Sequence, residues 1–128
     1  MNTVTFEGKV FTGEGNGKKY LALPWVKQQI EEKLGFTPFL GTLNLRLTKE
    51  SATRRKLLEK TEATTICPAE GYCVGMLLKA TVSDTECAII LPQVKGYPKN
   101  VLEIIAPVNL RETLNLKDND AVAVAVQV

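Results

Sequence analysis

Apolar and polar residues alternate with period two in several short segments of the chain, which is the pattern of β-strands with one buried face. The first such segment is residues 3–11, and the alternation recurs at 43–47 and 122–126, while residues 101–105 form a further, largely apolar strand segment. Apolar segments bounded by turn residues also lie at 64–67, 72–82 and 87–91. Six to eight short strands predict a mainly β fold, a small closed or partly open β-barrel.

One segment follows the helical period instead. Val26, Ile30 and Leu34 are four residues apart and therefore share one face of a helix. Pro24 suits the first turn of that helix, and Gly35 suits the position after its end. These signals predict a helix over residues 24–34, and a second, weaker helix is expected at about 51–59.

Composition narrows the function classes. The chain has 128 residues, 45% of them hydrophobic, and 16 basic residues against 14 acidic ones give a net charge of +2. We expect residues 1–128 to form a single globular domain and a monomer. A nucleic-acid or membrane-surface binder usually carries a basic excess, so neither partner is expected. Without a signal peptide or an apolar stretch of roughly 18 residues, a cytoplasmic protein is expected.

The chain contains no histidine. This excludes Ser-His-Asp triads, Cys-His pairs and histidine metal sites, so any chemistry must use carboxylates, basic side chains, hydroxyls and backbone amides. Cys67, Cys73 and Cys87 match no redox or zinc spacing. We expect them to be buried or partly buried free thiols in a reducing compartment.

A glycine-rich loop over residues 13–19 invites a phosphate-binding interpretation. Gly13, Gly15 and Gly17 allow backbone N–H groups to approach an anion, and the two lysines that follow supply positive charge. The spacing does not fit a Walker A motif, because only three residues separate Gly13 from Gly17. A flexible hairpin loop is the alternative interpretation.

Thr42 and Asn44 lie two residues apart at the predicted strand 43–47, so their side chains point the same way. Both offer neutral oxygens that suit a hard cation which keeps most of its charge for substrate phosphates. The same alternation is also ordinary on the solvent face of a strand. The residues alone leave both interpretations open.

Glu103 lies between Leu102 and Ile104 in an otherwise apolar strand. On a pocket-facing side its carboxylate would orient or deprotonate a substrate hydroxyl, whereas on an outward face it would only be solvated. Further along, Arg111 closes the segment Val108-Asn-Leu-Arg. It would meet a base or a phosphate, or equally make a surface salt bridge.

Four motifs occur together and in order along the chain. They are the Gly-x-Gly-x-Gly loop, Gly35-Phe-x-Pro-Phe-x-Gly-Thr-Leu-Asn-Leu-Arg-Leu47, Tyr97-Pro-Lys-Asn-Val-Leu-Glu-Ile-Ile-Ala-Pro107, and the closing Leu116-Lys-Asp-Asn-Asp-Ala-Val. In this combination the chain resembles the archaeal CTP-dependent riboflavin kinases over nearly its whole length. No single motif carries the resemblance; their order, spacing and joint presence do.

The resemblance implies a six-stranded cradle-loop barrel, of the riboflavin-kinase kind, with one or two short helices. It implies transfer of the γ-phosphoryl group of CTP to the 5′-hydroxyl of riboflavin, giving FMN and CDP. It further implies that Thr42 and Asn44 hold Mg²⁺ and that Glu103 contacts the flavin near the accepting hydroxyl. The nucleotide would be bound by Gly13, Glu14, Gly15, Asn16, Gly17 and Lys18, and by Val108, Asn109, Leu110 and Arg111.

One position departs from the family pattern. Members commonly carry a threonine that contacts the flavin nucleotide a few residues before the Tyr-Pro pair, and this chain has Lys95 there. A lysine would meet an anionic phosphate as a point charge rather than as a hydroxyl. Phosphoryl transfer needs chiefly positioning and charge neutralisation, so a site without histidine is adequate.

Two other function classes stay open. A non-catalytic flavin- or nucleotide-binding regulatory barrel would keep the pocket without turnover, but the joint presence of Thr42, Asn44 and Glu103 weighs against it. A nucleic-acid-binding barrel related to small transcription regulators is indicated only by the closing motif, and the net charge of +2 weighs against it. Because the chain starts at the first predicted strand, no separate DNA-binding domain is expected in front.

Overall fold

The structure is a computed structural model and describes residues 2–128. Its strands are β1 (Thr3–Phe11), β2 (Leu43–Leu47), β3 (Thr64–Ile66), β4 (Gly75–Val82), β5 (Thr85–Pro92), β6 (Val101–Ile105) and β7 (Ala121–Gln127). Its helices are α1 (Asn16–Leu21), α2 (Pro24–Leu34), α3 (Lys49–Arg54), α4 (Lys56–Glu59) and α5 (Leu110–Thr113).

All strands pair antiparallel in the order β3-β4-β5-β6-β2-β1-β7. Strand β4 also pairs with β7, with Ala80 opposite Val126 and Thr81 opposite Ala125. This second pairing closes six strands into a barrel and leaves β3 as an extra strand at the side of β4. The expected mainly β, six-stranded barrel is confirmed.

Two apolar clusters stabilise the barrel. The first fills the barrel interior and includes the fully buried Phe6 and Leu45. The second lies outside the sheet, where Leu21 of α1 and Ile30 of α2 pack over the outer face of β4 and β5. The first half of β4, Gly75–Leu78, and residues 87–91 of β5 are therefore buried on both faces, which explains why these stretches are continuous apolar runs instead of alternating patterns.

Helix α2 forms as its sequence signals predict. Pro24 stands at its start, and Gly35 closes it in the left-handed conformation with φ 80° while donating its N–H to Glu31 O. A residue other than glycine would be strained there. The confirmed helix places Val26 and Ile30, both fully buried, against the barrel.

The described residues contain more helix than expected. Helices α1 and α5 were not predicted, and the weak helix at 51–59 is two short helices, α3 and α4, that meet at Arg55. Helix α1 begins inside the glycine-rich segment, where intrinsic helix propensity is low. Burial of Leu21 against the barrel stabilises this turn of helix, an effect that local sequence does not reveal.

The chain between β3 and β4 corrects two predictions. The strand predicted to start at residue 72 starts at Gly75, because residues 72–74 leave the sheet and are exposed. Cys67 and Cys73 lie in this excursion and are exposed, not buried. Only Cys87 is buried, and desolvation raises the pKa of its thiol to about 12. None of the helices in residues 2–128 is long and apolar enough to span a membrane.

Candidate active site

A groove of about 1150 Å³ lies on the outer face of the barrel, between β2 and β6 on one side and the glycine-rich segment with α1 on the other. Phe11, Asn44, Glu103 and Ile90 lie directly opposite one another on neighbouring strands. Residues opposite each other in antiparallel strands point to the same face, so this row forms part of the groove lining.

The glycine-rich loop packs directly onto this row. A Cβ atom on Gly13 would lie 2.6 Å from Asn44 Nδ2, and one on Gly17 would lie 2.7 Å from Thr42 Oγ1. Both distances are below the range of real Cβ contacts, so a larger residue at either position would require the loop or the neighbouring side chain to shift. The segment is therefore not a free hairpin loop: its backbone is held against the candidate metal and acceptor residues.

Oxygen atoms of three side chains converge beneath the loop. The Thr42 hydroxyl donates a hydrogen bond to Asn44 Oδ1 at 2.9 Å and lies 3.4 Å from Glu103 Oε1. All three side chains are partly buried and line the groove on the outer face of the barrel.

This oxygen cluster fits a hard cation such as Mg²⁺, which prefers oxygen ligands. It contains one carboxylate, and no group of three or more His, Cys, Asp or Glu suited to a metal exists among residues 2–128. A cation here would depend on neutral protein oxygens and on oxygens of the substrate. Mg²⁺ at substrate phosphates usually keeps several waters and takes few ligands from the protein.

Tyr97 is a site residue that the sequence analysis missed. Its hydroxyl donates a hydrogen bond to Glu103 Oε2 at 2.5 Å. Burial, together with this bond to Glu103, raises the pKa of Tyr97 well above its usual range. The residue stands in the Tyr-Pro motif, but no spacing rule connects a residue in the β5–β6 turn with one three positions into β6.

Residues 108–111 line a smaller neighbouring cavity of about 170 Å³ that shares Gly41, Thr42 and Arg111 with the groove. The Leu110 side chain belongs to the barrel core, and Asn109 Oδ1 accepts the Glu112 N–H at the start of α5. A ligand in this cavity would therefore meet backbone groups together with the side chains of Phe39, Val108 and Arg111.

Arg111 makes the salt bridge that the sequence left as an alternative, and it also lines both cavities. Its guanidinium pairs with Asp118 and donates to Thr12 Oγ1 at 3.2 Å. The Arg111 hydrogen bond holds the pKa of Asp118 below its usual range. The ion pair fixes the guanidinium at the edge of the groove.

The remaining candidates divide into two groups. Glu14, Asn16 and Lys18 line the groove as exposed side chains of the loop and the first turn of α1. Lys95 is exposed in the β5–β6 turn and is not among the groove-lining residues. Its contact with a flavin phosphate stays a prediction.

Comparison with protein-family models assigns the chain to a family. The family model CTP-dep_RFKase, described as domain of unknown function DUF120, matches residues 10–126. The chain belongs to this family. The match confirms the resemblance found in the sequence and includes every candidate site residue.

Curated relatives agree with this assignment. The chain is 38% identical to the riboflavin kinase of Methanosarcina barkeri over 99% of its own length and 58% of the relative. It is 39% identical to the riboflavin kinase of Archaeoglobus fulgidus, over 97% of its own length and 55% of the relative. It is 38% identical to the riboflavin kinase of Ignicoccus hospitalis, over 96% of its own length and 71% of the relative. The chain thus spans little more than half the length of the first two relatives.

Proposed function

We propose that this chain is a CTP-dependent riboflavin kinase that transfers the γ-phosphoryl group of CTP to the 5′-hydroxyl of riboflavin, giving FMN and CDP. The observation that carries the proposal is the packing of the glycine-rich loop onto Thr42, Asn44 and Glu103 in one groove. Pockets for a single small ligand usually measure about 300–1,000 Å³. A groove of about 1150 Å³ that continues into a second cavity is in keeping with two substrates side by side.

The phosphates of the nucleotide would lie along residues 13–18. Gly15 has φ 87°, a conformation that turns the backbone sharply, and successive N–H groups in such turns form anion-binding concavities. Lys18 would add positive charge. The base would enter the neighbouring cavity at residues 108–111, where the available backbone groups suit recognition of a base edge.

Thr42 and Asn44 would hold Mg²⁺. When bound, the ion neutralises charge on the phosphate oxygens. Asn44 presents its Oδ1 toward Thr42, and the Gly13 backbone lies against its amide nitrogen. The Asn44 side chain is thereby oriented with its oxygen in the cluster.

Glu103 would receive riboflavin. Its carboxylate accepts a hydrogen bond from the 5′-hydroxyl, aligns the hydroxyl oxygen with the phosphoryl group, and takes up the hydroxyl proton as the new bond forms. The reaction needs no covalent intermediate on the protein, because alignment of the two substrates and stabilisation of charge lower the barrier.

The test is detection of FMN after incubation of the purified chain with riboflavin, Mg²⁺ and, in parallel, CTP, ATP, GTP or UTP. Formation of FMN chiefly with CTP supports substrate, reaction and donor together. An Asn44→Ala chain purified in the same way controls for contaminating kinases and should form little FMN. Riboflavin binding without FMN from any nucleotide would contradict the proposal and favour a non-catalytic flavin-binding barrel.

A further inference from the structure

We propose that Tyr97 is a positioning residue for Glu103, itself held by a cation–π contact with the buried Arg55. In this arrangement one carboxylate oxygen of Glu103 is fixed by the protein and the other is left for the acceptor hydroxyl. The inference rests on the proposed function, since it concerns the group that would receive riboflavin.

The two oxygens of Glu103 have different surroundings. Oε2 accepts the Tyr97 hydroxyl at 2.5 Å, whereas Oε1 faces the Thr42 hydroxyl at 3.4 Å and the backbone of Gly17. The terminal torsion of a glutamate is ordinarily broad. A short bond to one oxygen restricts that torsion and directs the second oxygen toward the loop that would carry the phosphates.

Tyr97 is suited to act as a donor only. Burial and the neighbouring Glu103 raise the pKa of its phenol above the usual range, so the hydroxyl keeps its proton at any physiological pH. A hydrogen bond to a charged acceptor is stronger than one between neutral groups. The Tyr97 hydroxyl is therefore the donor in its short bond to Glu103 Oε2.

Arg55 lies over the ring of Tyr97. The Arg55 side chain is buried, with the residue 6% exposed, and its Cζ lies 5.5 Å from the Tyr97 ring centroid. Its Nε donates to Val101 O at 3.0 Å, on the strand that carries Glu103. The Glu59 carboxylate is 3.9 Å away and about half exposed, so it is a weak partner. The aromatic face thus contributes to stabilising this buried charge.

The decisive experiment is a double-mutant cycle in kcat with four chains: wild type, Tyr97→Phe, Glu103→Ala and the double variant. Phenylalanine keeps the ring over Arg55 and removes only the hydroxyl. We expect Tyr97→Phe to lower kcat about tenfold with KM for CTP changed less than twofold, because one bond to a charged group is lost. In the Glu103→Ala chain the same change should alter kcat less than twofold.

A merely structural role of Tyr97 gives a different pattern. It would lower kcat by the same factor in both backgrounds, and that result would overturn the proposal. An unchanged kcat in Tyr97→Phe would overturn it as well.

A second readout separates this inference from the proposed function. The same cycle is measured in riboflavin affinity, by quenching of flavin fluorescence, and Tyr97→Phe should weaken binding about threefold only when Glu103 is present. A wild-type chain that binds riboflavin with this coupling but forms no FMN would refute the kinase and retain the positioning role. A chain that neither binds nor phosphorylates riboflavin refutes both.

The contribution of Arg55 is tested with Arg55→Lys, which keeps the charge but loses the planar group and the Nε donor. We expect kcat to fall about threefold, with Glu59→Gln as the matched control that leaves kcat unchanged. Equal kcat values for Arg55→Lys and wild type would overturn the role of Arg55.

Discussion

Replacement of Gly17 by alanine tests whether the glycine-rich loop must lie directly on the oxygen cluster. The added Cβ would lie 2.7 Å from Thr42 Oγ1, 2.8 Å from Thr42 Cγ2 and 3.3 Å from Glu103 Oε1. Ordinary van der Waals contact begins at 3.4 Å. Rotation of Thr42 would break its bond to Asn44, so we expect the loop to move instead.

The expected loss of activity in Gly17→Ala follows from the displacement of the loop. Relief of the closest contact requires a shift of about 0.7 Å, and misplacement by about 1 Å costs roughly 100-fold in reactions that depend on alignment. We expect kcat/KM for FMN formation to fall roughly 30- to 100-fold. Stability should change less, because overpacking of about 1–3 kcal/mol is offset by up to about 1 kcal/mol from the better helix propensity of alanine in α1.

The assay is FMN formation at varied CTP and riboflavin, together with the free energy of unfolding by denaturant. Gly35→Ala is the matched control. Gly35 has φ 80° with open space around it, and neither it nor its chain neighbours line the groove, so alanine there costs about 1–2 kcal/mol of strain away from the site. A Gly17→Ala chain with wild-type kcat/KM, or an equal loss in Gly35→Ala, would contradict the close packing of the loop on Thr42.

Three further predictions concern single side chains. Asn44→Ala should remove most turnover and weaken the response to added Mg²⁺, measured as FMN formed against Mg²⁺ concentration; an unchanged response would contradict the metal assignment. Glu103→Gln should lower kcat more than it weakens CTP binding, measured by steady-state kinetics and calorimetry; the opposite order would place Glu103 in nucleotide binding. Asp118→Asn should lower the melting temperature slightly at pH 7 but not at low pH. The lowered pKa of Asp118 gives stability above the ordinary value of about 3.9 that is lost as pH falls through the folded value. A pH-independent gap would contradict the ion pair with Arg111.

The elements with strong local signals could be predicted from the sequence. Pro24 and Gly35 mark the ends of α2, and the alternation in Leu43–Leu47 predicted β2 with one polar face. That alternation also placed Thr42 and Asn44 on the same side. These features depend on residues a few positions apart, where backbone geometry alone decides the outcome.

Features that depend on contacts distant in sequence could not be predicted. Helix α1 is stabilised by burial of Leu21 under a second apolar cluster outside the barrel, and its local sequence favours a loop. The pairing of β4 with β7 closes the barrel, but the sequence of neither strand indicates it.

The candidate site likewise combines features with a local sequence signal and features that depend on contacts distant in sequence. The oxygen cluster of Thr42 and Asn44 has a local signature, whereas the contacts around Glu103 are set by a turn and by a helix junction. Tyr97 reaches Glu103 because the β5–β6 turn folds back, and Arg55 reaches Tyr97 from the α3–α4 junction. Lys95 lies in the same turn but outside the groove lining.

The groove between the glycine-rich loop and the oxygen cluster is proposed here as one phosphoryl-transfer site. A crystal structure of the chain with CDP, Mg²⁺ and FMN tests this most directly. We expect the CDP phosphates along residues 13–18, the ion on Thr42 and Asn44, and the FMN phosphate beside Glu103. A nucleotide bound outside this groove, or phosphates remote from Gly13 and Gly17, would contradict it.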